Sequence, residues 1–413
     1  MARRPRRRSV RRSCGASPWP GKGMGGILEE KGVEMELDVL REDLIFGVRT
    51  AGHALAARTA MPILSGIRFQ ASGNQLELCA TDLERAIRCT VPAEVQEEGV
   101  AVMPGQVLEQ LAARLPTEDR VHLESVDGKV RLSCGPSTFD LLTLPADEFP
   151  QLPRDLQEPL CQLERETFID AIQQTAFAAL KASETTRLAL TGVNMVLKEG
   201  NMILAATNGY RLAVRRIPVM GLPDGFRGNF LVDAQIMNDL MRVLGSIAAE
   251  TVSLHHEEGQ LHFSSGAVTF SSRLIQEEFP DFERVIPRDN DIGLFLVREE
   301  FLSALRRMEI TAAEESGAVT IKARAGEPEL EITSASREKG EGVERLRLVR
   351  PPERGIEIAF KAEYLIDALR RMASDQVALW LVAPDRAGLL EPAGDIAPED
   401  EGFLYVCMPV RLL

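Results

Sequence analysis

The sequence LVDAQIMNDL at residues 231–240 joins a short apolar strand to an amphipathic helix. Its apolar residues fall at i, i+1 and i+4, which places them on one face of a helix. The same pattern occurs in VMPGQVLEQL at residues 102–111 and in FKAEYLIDAL at residues 360–369. The final leucines of the three copies, Leu111, Leu240 and Leu369, are 129 positions apart in both steps. The chain is therefore predicted to contain three copies of one structural unit.

Other segments repeat in the same order. An earlier helix is predicted to begin at Arg41, Arg165 and Arg298, each followed by one or two acidic residues that suit a helix N-terminus. Alternating strands follow the second helix, at residues 121–125 and 129–133 in the first copy. These patterns predict an α+β fold with three repeated units of about 125 residues, each with two helices on antiparallel sheets.

A turn at Asn208-Gly209 separates two apolar runs in the middle copy. Asn and Gly tolerate positive φ, so the pair predicts a hairpin. The residues before the turn, LAATN at 204–208, resemble LCATD at 78–82, but Tyr210, Arg211 and Leu212 after it have no counterpart in the first copy. These three side chains are candidates for lining a groove; the alternative is a hairpin without a special role.

Composition limits the possible functions. The 413 residues are 45% apolar, enough for several cores, and no apolar run is long enough to cross a membrane. The six cysteines include no C-x-x-C pair and the chain has only five histidines. We therefore expect reduced thiols, a cytoplasmic location, no metal and no cofactor.

The net charge of −14 is unevenly distributed. Residues 1–34 carry seven Arg and two Lys against three Glu, so residues 35–413 carry −20. We expect residues 1–34 to be a disordered basic extension; it is either a nucleic-acid arm, a transit-like peptide or the product of a start codon placed too early. An acidic body argues against nucleic acid unless its basic residues are locally concentrated.

Proline-containing segments at residues 149–153 and 279–287 mark the ends of the repeated units, because proline interrupts a central strand. The predicted domains are residues 35–153, 154–286 and 287–413. A segment rich in Pro, Gly and acidic residues at 384–402 weakens the strand pattern of the third domain, and the sequence does not place it.

Six ordered motifs and the threefold repeat resemble the bacterial sliding clamp family, the β subunit of DNA polymerase III, over residues 35–413. The motifs are MPIL at 61–64, ATDLE at 80–84, FPQLP at 149–153, ATNGYRLA at 206–213, FPDF at 279–282 and MPVRL at 408–412. The resemblance implies a non-catalytic processivity factor: a head-to-tail homodimeric ring that encircles duplex DNA without sequence specificity.

Basic residues recur on the predicted helices and on the loops after them. The resemblance implies that these helices line the central hole through which DNA passes. Acidic residues are instead concentrated on strands and other loops. This distribution reconciles an acidic protein with phosphate binding. The candidate DNA-facing residues are Arg49, Arg58, Arg114, Lys181, Arg187, Arg242, Arg306, Arg307, Arg370 and Arg371. For each of them, the alternative is a solvated helix face.

The resemblance also implies a hydrophobic pocket between the second and third domains. It would bind short peptide motifs of the DNA polymerase III α subunit, the clamp loader, other polymerases and repair proteins. Its residues here are Leu190, Thr207, Gly209, Tyr210, Arg211, Leu212, Pro280, Arg284, Val285, Val406, Met408, Pro409, Val410, Arg411 and Leu412. The chain departs from the family, which usually has Asp and His at the positions of Asn208 and Tyr210 and ends at the leucine matching Leu412, whereas Leu413 follows here.

Ring closure implies an edge strand at residues 138–144, and Phe139 and Ile310 match apolar interface positions of the family. Two other functions remain open. One is a clamp paralogue that confers drug tolerance and keeps the ring but alters the pocket. The other is an α+β hydrolase using Asp82 and Glu84, although the sequence has no G-x-S-x-G, P-loop or HExxH motif.

Overall fold

The computed structural model describes residues 35–56, 58–152, 156–257, 259–314 and 316–411. The predictions for residues 1–34, Leu412 and Leu413 lie outside the described residues. Packing divides the chain into two compact units, with the boundary between residues 155 and 156. None of the helices in the described ranges is long and apolar enough to cross a membrane.

The first unit is an antiparallel sheet of eight strands with two helices. The strand order is β8-β7-β6-β1-β4-β3-β2-β5. The strands are β1 (Glu36–Leu40), β2 (Gly66–Ser72), β3 (Gln75–Thr81), β4 (Arg85–Glu97), β5 (Gly99–Pro104), β6 (Arg120–Val126), β7 (Lys129–Cys134) and β8 (Ser137–Leu142), and the helices are α1 (Arg41–Gly52) and α2 (Gly105–Ala112).

The alternation that predicted β6 and β7 is confirmed by burial. Val121, Leu123, Val130 and Leu132 are all at most 2% exposed, so the apolar set of both strands faces the core. The turn between them has positive φ at Asp127 (49°) and Gly128 (75°). This geometry matches the right-handed twist of a two-residue hairpin.

The second unit begins with another copy of this pattern. Its strands are β9 (Cys161–Glu164), β10 (Gly192–Lys198), β11 (Asn201–Thr207), β12 (Arg211–Pro218), β13 (Arg227–Asp233), β14 (Thr251–Glu257), β15 (Gln260–Ser265) and β16 (Val268–Arg273), and its helices are α3 (Arg165–Thr175) and α4 (Ala234–Leu244).

A third copy completes the second unit. Its strands are β17 (Ile292–Val297), β18 (Ala318–Ala323), β19 (Glu329–Ser336), β20 (Gly340–Arg347), β21 (Ile356–Lys361), β22 (Gln376–Leu381), β23 (Gly388–Ala393) and β24 (Phe403–Cys407), and its helices are α5 (Arg298–Thr311) and α6 (Ala362–Leu369). The predicted strand-to-helix segments are thus β5–α2, β13–α4 and β21–α6, as the repeat indicated.

One sheet joins the second and third copies. Its order is β13-β10-β11-β12-β24-β23-β22-β17, and the junction is the antiparallel pair of β12 with β24, in which Arg211 lies opposite Cys407 and Arg215 opposite Phe403. The strand that begins at the Asn-Gly turn therefore pairs directly with the strand that leads to the C-terminus.

Helix ends follow local sequence. Asp233 caps α4 by accepting hydrogen bonds from the amides of Gln235 and Ile236, and Glu164 caps α3 in the same way. The buried face of α4 contains Met237, Leu240, Val243 and Leu244, which confirms the predicted apolar spacing.

The segment at residues 384–402, which the sequence did not place, contains strand β23 and a 3₁₀ turn at Pro398–Asp400. Pro392 lies inside β23 opposite Val377 of β22. Strand β24 pairs with β23 only from Gly388 to Leu390, so Pro392 needs no hydrogen-bond partner on its second side. The strand therefore tolerates a proline, although the composition of residues 384–402 weakened the prediction of a strand there.

Candidate functional site

The turn between β11 and β12 is fixed by its own side chains. The Asn208 carboxamide oxygen accepts hydrogen bonds from the amides of Tyr210 at 2.9 Å and Arg211 at 3.0 Å. The Thr207 hydroxyl donates to the Arg211 carbonyl at 2.6 Å and accepts from the Gly209 amide. Gly209 has a φ of +89°, a region that costs glycine little. The predicted hairpin is confirmed, and Tyr210 projects from it with 66% of its surface exposed.

The first copy builds the same turn, with Thr81 and Arg85 at the positions of Thr207 and Arg211. The expectation that Arg211 has no counterpart in the first copy is therefore wrong. The Asp82 carboxylate accepts from the amides of Glu84 and Arg85 and lies 3.1 Å from the Arg85 guanidinium, while Thr81 donates to the Arg85 carbonyl. Asp82 therefore has a complete structural role in the turn. Its contacts supply no support for a hydrolase built on Asp82 and Glu84.

Arg211, one of the predicted pocket residues, is held by the third repeated unit. Its side chain is only 10% exposed and lies 2.7 Å from the Asp367 carboxylate on α6. The guanidinium also donates to the Phe177 carbonyl at 2.9 Å and stacks between the rings of Phe177 and Tyr364. Burial acts to lower the pKa of Arg211, but the Tyr405 hydroxyl and Asp367 hold it above its ordinary value. Arg211 thus fastens the hairpin to the third copy.

The C-terminal residues run beside the hairpin. The Met408 amide donates to the Tyr210 carbonyl at 2.8 Å, and the Val410 amide donates to the Ala359 carbonyl. The Met408 side chain is 43% exposed. The structure therefore brings Tyr210 and Met408 together, although they are far apart in the sequence.

A cavity of about 800 Å³ adjoins Met408 and contains Arg284 and Val285 of the predicted pocket. Val285 is 56% exposed and Arg284 pairs with Asp281 at 2.7 Å. Its other lining residues are Asp281, Glu283, Ile286, Pro287, Arg288, Asp289, Asn290, Val382, Asp385, Arg386 and Ala387. This space, which we call the partner cavity, is large enough for several side chains of a peptide.

The remaining predicted pocket residues differ in exposure. Leu190, Leu212 and Val406 are at most 7% exposed, and the latter two belong to a core cluster with Phe279 and Phe282. These residues form the support beneath the surface. Thr207, Pro280, Pro409 and Val410 are partly buried, and Gly209 and Arg411 are exposed.

A buried polar network lies behind the hairpin. The Asp400 carboxylate is 0% exposed and accepts hydrogen bonds from the Gln174 amide at 2.8 Å and from the backbone amides of Ala373 and Ser374. The guanidinium of Arg215 is 1% exposed and donates to the Pro398 carbonyl. Burial lowers the pKa of Arg215, and the charge of Asp400 opposes that shift. The network ties α3 and β12 to the segment at residues 384–402.

Most of the predicted DNA-facing residues are exposed. Two of the exposed residues form ion pairs, Arg242 with Asp239 and Arg307 with Glu344. Arg371 differs, because it is partly buried against the Phe177 ring and burial lowers its pKa. The exposed residues are Arg49, Arg58, Arg114, Lys181, Arg187, Arg242, Arg306, Arg307 and Arg370.

Several strands end their sheets in the described part of the chain, and two of them, β8 and β20, bear on closure of the ring. β8, the predicted edge strand, pairs only with β7, and β20 pairs only with β19. Exposed apolar side chains lie on or near them: Leu142 on β8 is 67% exposed, Val343 on β20 is 60% exposed and Ile310 on α5 is 69% exposed. Phe139 on β8 is partly buried.

Comparison with known proteins identifies the architecture. Three family models match in order: the N-terminal domain of the DNA polymerase III beta subunit at residues 35–153, its central domain at 162–281 and its C-terminal domain at 283–411. The chain belongs to the DNA polymerase III β subunit family. Its function is that of a DNA polymerase III sliding clamp, and its three clamp domains combine helices with antiparallel sheets.

Individual relatives cover nearly the whole clamp chain. The beta sliding clamp of Staphylococcus aureus is 28% identical over 91% of this chain and 99% of its own length. A structure of the Caulobacter crescentus (C. crescentus) beta sliding clamp with PEG bound to a putative beta-motif tethering region is 30% identical with a TM-score of 0.83, over 92% of this chain and 100% of its own. A Pseudomonas aeruginosa sliding clamp bound to griselimycin is 26% identical with a TM-score of 0.84, over the same shares.

The sequence analysis did not identify the residues of this clamp's third repeated unit that bind Arg211 of the Asn208 hairpin. Tyr364 and Asp367 lie three positions apart on α6, within the repeated motif at residues 360–369. Residues at this spacing share a helix face, so a polar face was visible in the sequence. The contact of this face with Arg211 was not visible in the sequence, because no local pattern relates the two segments.

Proposed function

We propose that the chain forms a head-to-tail homodimeric ring in the cytoplasm, with clamp domains at residues 35–153, 154–286 and 287–413 in each copy. The ring encircles duplex DNA and tethers polymerases and repair proteins without catalysing a reaction. The observation that carries this proposal is the recurrence of exposed cations on the helices, and on the loops after them, in all three repeated units, on a chain whose net charge is −14.

Phosphate contacts explain how such a ring moves. Contacts to the DNA backbone carry no sequence information, and Lys and Arg side chains on flexible stems release one phosphate and take the next without a fixed register. The exposed cations Arg49, Arg306 and Arg370 lie on or directly after the helices α1, α5 and α6. The partly buried Arg371 supports its helix end, and its proposed contact with DNA is the weakest of the set.

The edge strands support closure of the ring. An exposed edge offers a row of unpaired amides and carbonyls, and pairing of β8 from one copy with β20 of another would satisfy both. Because these are different strands, the contact is head-to-tail, and two such contacts close a ring of two copies. Phe139, Leu142, Ile310 and Val343 would then bury their apolar surfaces in the contact.

The partner cavity supports peptide binding. Met408 and Val285 expose apolar surface in its lining, and Tyr210, whose carbonyl accepts from the Met408 amide, exposes its ring on the neighbouring turn. A flexible Met side chain adapts to different ligands. Fixed polar groups from Arg284 and the neighbouring backbone would orient an extended segment. We propose that short peptide motifs of the polymerase α subunit and the clamp loader bind here through a glutamine and large apolar side chains.

Replacing both exposed anchors tests the pocket. The variant Tyr210→Ala/Met408→Ala is expected to bind a fluorescent peptide with a glutamine and two large apolar residues about 100-fold more weakly in an anisotropy titration, because each truncation removes roughly 1.4 kcal/mol of apolar contact. Both side chains are exposed, so the variant should unfold like the parent chain. Leu212 is unsuitable for this test, since it is buried and its truncation would disturb the core.

The control is Met220→Ala, which removes an equally large side chain that is 50% exposed outside the cavity. It should leave the affinity unchanged. Undiminished peptide binding by the double variant would remove the pocket assignment while leaving the ring proposal intact.

A further inference from the structure

A second cavity of about 610 Å³ adjoins the same chain segment as the partner cavity. We call it the accessory groove; its lining includes Ile203, Val214, Arg216, Arg288, Ile396 and Phe403. Glu283, Ile286 and Arg288 line both cavities. The two spaces therefore flank one segment, residues 283–288, and a ligand in one can continue past that segment into the other.

The base of the accessory groove is apolar and firmly held. Ile203, Val214 and Phe403 come from the neighbouring strands β11, β12 and β24, and each is at most 5% exposed. At its rim, Ile396 is 52% exposed. The wall that carries Ile396 is tied to β12 by the bond from the Arg216 amide to the Gly402 carbonyl at 3.0 Å. The groove therefore offers an apolar contact at a fixed position.

Close backbone approach requires a glycine in that wall. Gly402 has a φ of +78°, and a Cβ atom there would lie 2.6 Å from the Arg216 carbonyl oxygen. The segment at residues 384–402, for which the proposed ring has no specific role, is thus built as one side of this groove.

Three cations surround one carboxylate in the groove. Lys198 Nζ lies 2.7 Å from Glu283 Oε1. This hydrogen bond lowers the pKa of Glu283, and the charges of Lys198, Arg288 and Arg216 lower it further. Arg216 and Arg288 are exposed, and neither has a carboxylate within ion-pair distance among the described residues. Two cations are left available to a ligand.

The other carboxylates that line the groove are Glu391, Asp400 and Glu401. Asp400 is fully buried, and its oxygens bind Gln174 and two backbone amides. Burial raises the pKa of Glu391. Glu401 is exposed at the rim. The arrangement is complementary to an apolar side chain flanked by carboxylates.

We propose that the accessory groove binds a second segment of clamp-binding partners, an extended stretch that carries a large apolar residue next to Asp or Glu and adjoins the peptide motif in the partner cavity. This inference rests on the proposed peptide-binding function of the partner cavity. The second segment would add affinity through Arg216 and Arg288 and would distinguish partners that share the same short motif.

Peptides of different length test the proposal on the full chain. Anisotropy titrations would compare a short motif peptide with the same peptide extended by five residues containing one Leu and two Asp, placed before the motif in one peptide and after it in another. One extended peptide is expected to bind about tenfold more tightly than the short one, since each exposed ion pair contributes a few-fold. A matched extension with Lys in place of Asp should give no gain.

Charge reversal locates the gain. The variant Arg216→Glu, which changes a residue that lines the accessory groove but not the partner cavity, should remove most of the tenfold gain and leave the short peptide unaffected. Arg227→Glu, at an exposed arginine on β13 outside the groove, should keep the gain. An extension that gives no gain, or a gain that survives the Arg216 reversal undiminished, overturns the accessory groove alone. Failure of the short peptide to bind overturns the partner cavity and the groove together. The Arg216→Glu variant is also titrated with single-stranded DNA. If it binds this DNA more weakly than the parent chain does but binds all the peptides with the parent's affinities, the groove proposal is overturned and the cations are assigned to nucleic acid.

Discussion

Replacing Asp400 with alanine is expected to destabilise the second unit by about 3–5 kcal/mol, the usual effect of removing one partner from a buried charged network. The carboxylate is fully buried and binds the Gln174 side chain and the amides of Ala373 and Ser374. Its loss removes the side-chain acceptor of the Ala373 and Ser374 amides, one of the acceptors of the Gln174 side chain and one of the negative charges near the buried guanidinium of Arg215. Urea unfolding followed by Trp380 fluorescence in a Trp19→Phe background measures the change, because these are the two tryptophans of the chain.

The matched control is Glu401→Ala, which removes an exposed carboxylate from the next position. Its effect should stay within about 0.5 kcal/mol, as is usual for surface substitutions. Asp400→Asn keeps the shape but loses the charge, so its effect should fall between the two. Equal stability of the Asp400→Ala and Glu401→Ala variants would show that the network does not hold the second and third repeated units of the chain together.

Placing a carboxylate at Ile310 should convert the proposed dimer to a monomer at micromolar concentration. Ile310 is 69% exposed in the single chain, so Ile310→Asp should not disturb folding. In the proposed contact between α5, β20 and the partner copy's β8, however, the new charge would be buried without a counter-ion. A cost of about 3 kcal/mol at each of the two contacts amounts to about 6 kcal/mol for the ring, which raises the dissociation constant of the dimer by about four orders of magnitude. Sedimentation velocity at several concentrations measures the change.

Met220→Asp is the control, since it places the same charge at an apolar side chain that is 50% exposed and lies away from both edge strands. This variant should remain a dimer. If Ile310→Asp dimerises as tightly as the parent chain, the interface does not include α5 and β20.

Local patterns predicted the parts of the fold that are built locally. The segment at residues 231–240 is a strand followed by a helix because Asp233 caps the helix and its apolar residues share one face. The Asn208 turn forms from hydrogen bonds within four residues. The order of these elements and their repetition predicted three copies, and the resemblance of six motifs to the sliding clamp family predicted the family to which the chain belongs.

Contacts between distant segments were not predictable in the same way. Arg211 was predicted to line a groove, and its ion pair with Asp367, 156 positions away, was not predicted. Gln174 and Asp400 are separated by 226 positions, so no local pattern relates them. Strand β23 was not predicted because it contains Pro392. The sequence does not show that β24 pairs with β23 only from Gly388 to Leu390, which is why the proline is tolerated.

Topological trapping on DNA tests the ring most directly. Light scattering of the purified chain should give twice the 45.5 kDa mass of one copy. After loading onto a nicked circular duplex by a clamp loader, the protein should stay bound through a high-salt wash that removes electrostatic contacts. Cutting the circle should release it within seconds to minutes by sliding off the ends. A stable monomer, or equal dissociation from circular and linear DNA, would contradict the ring.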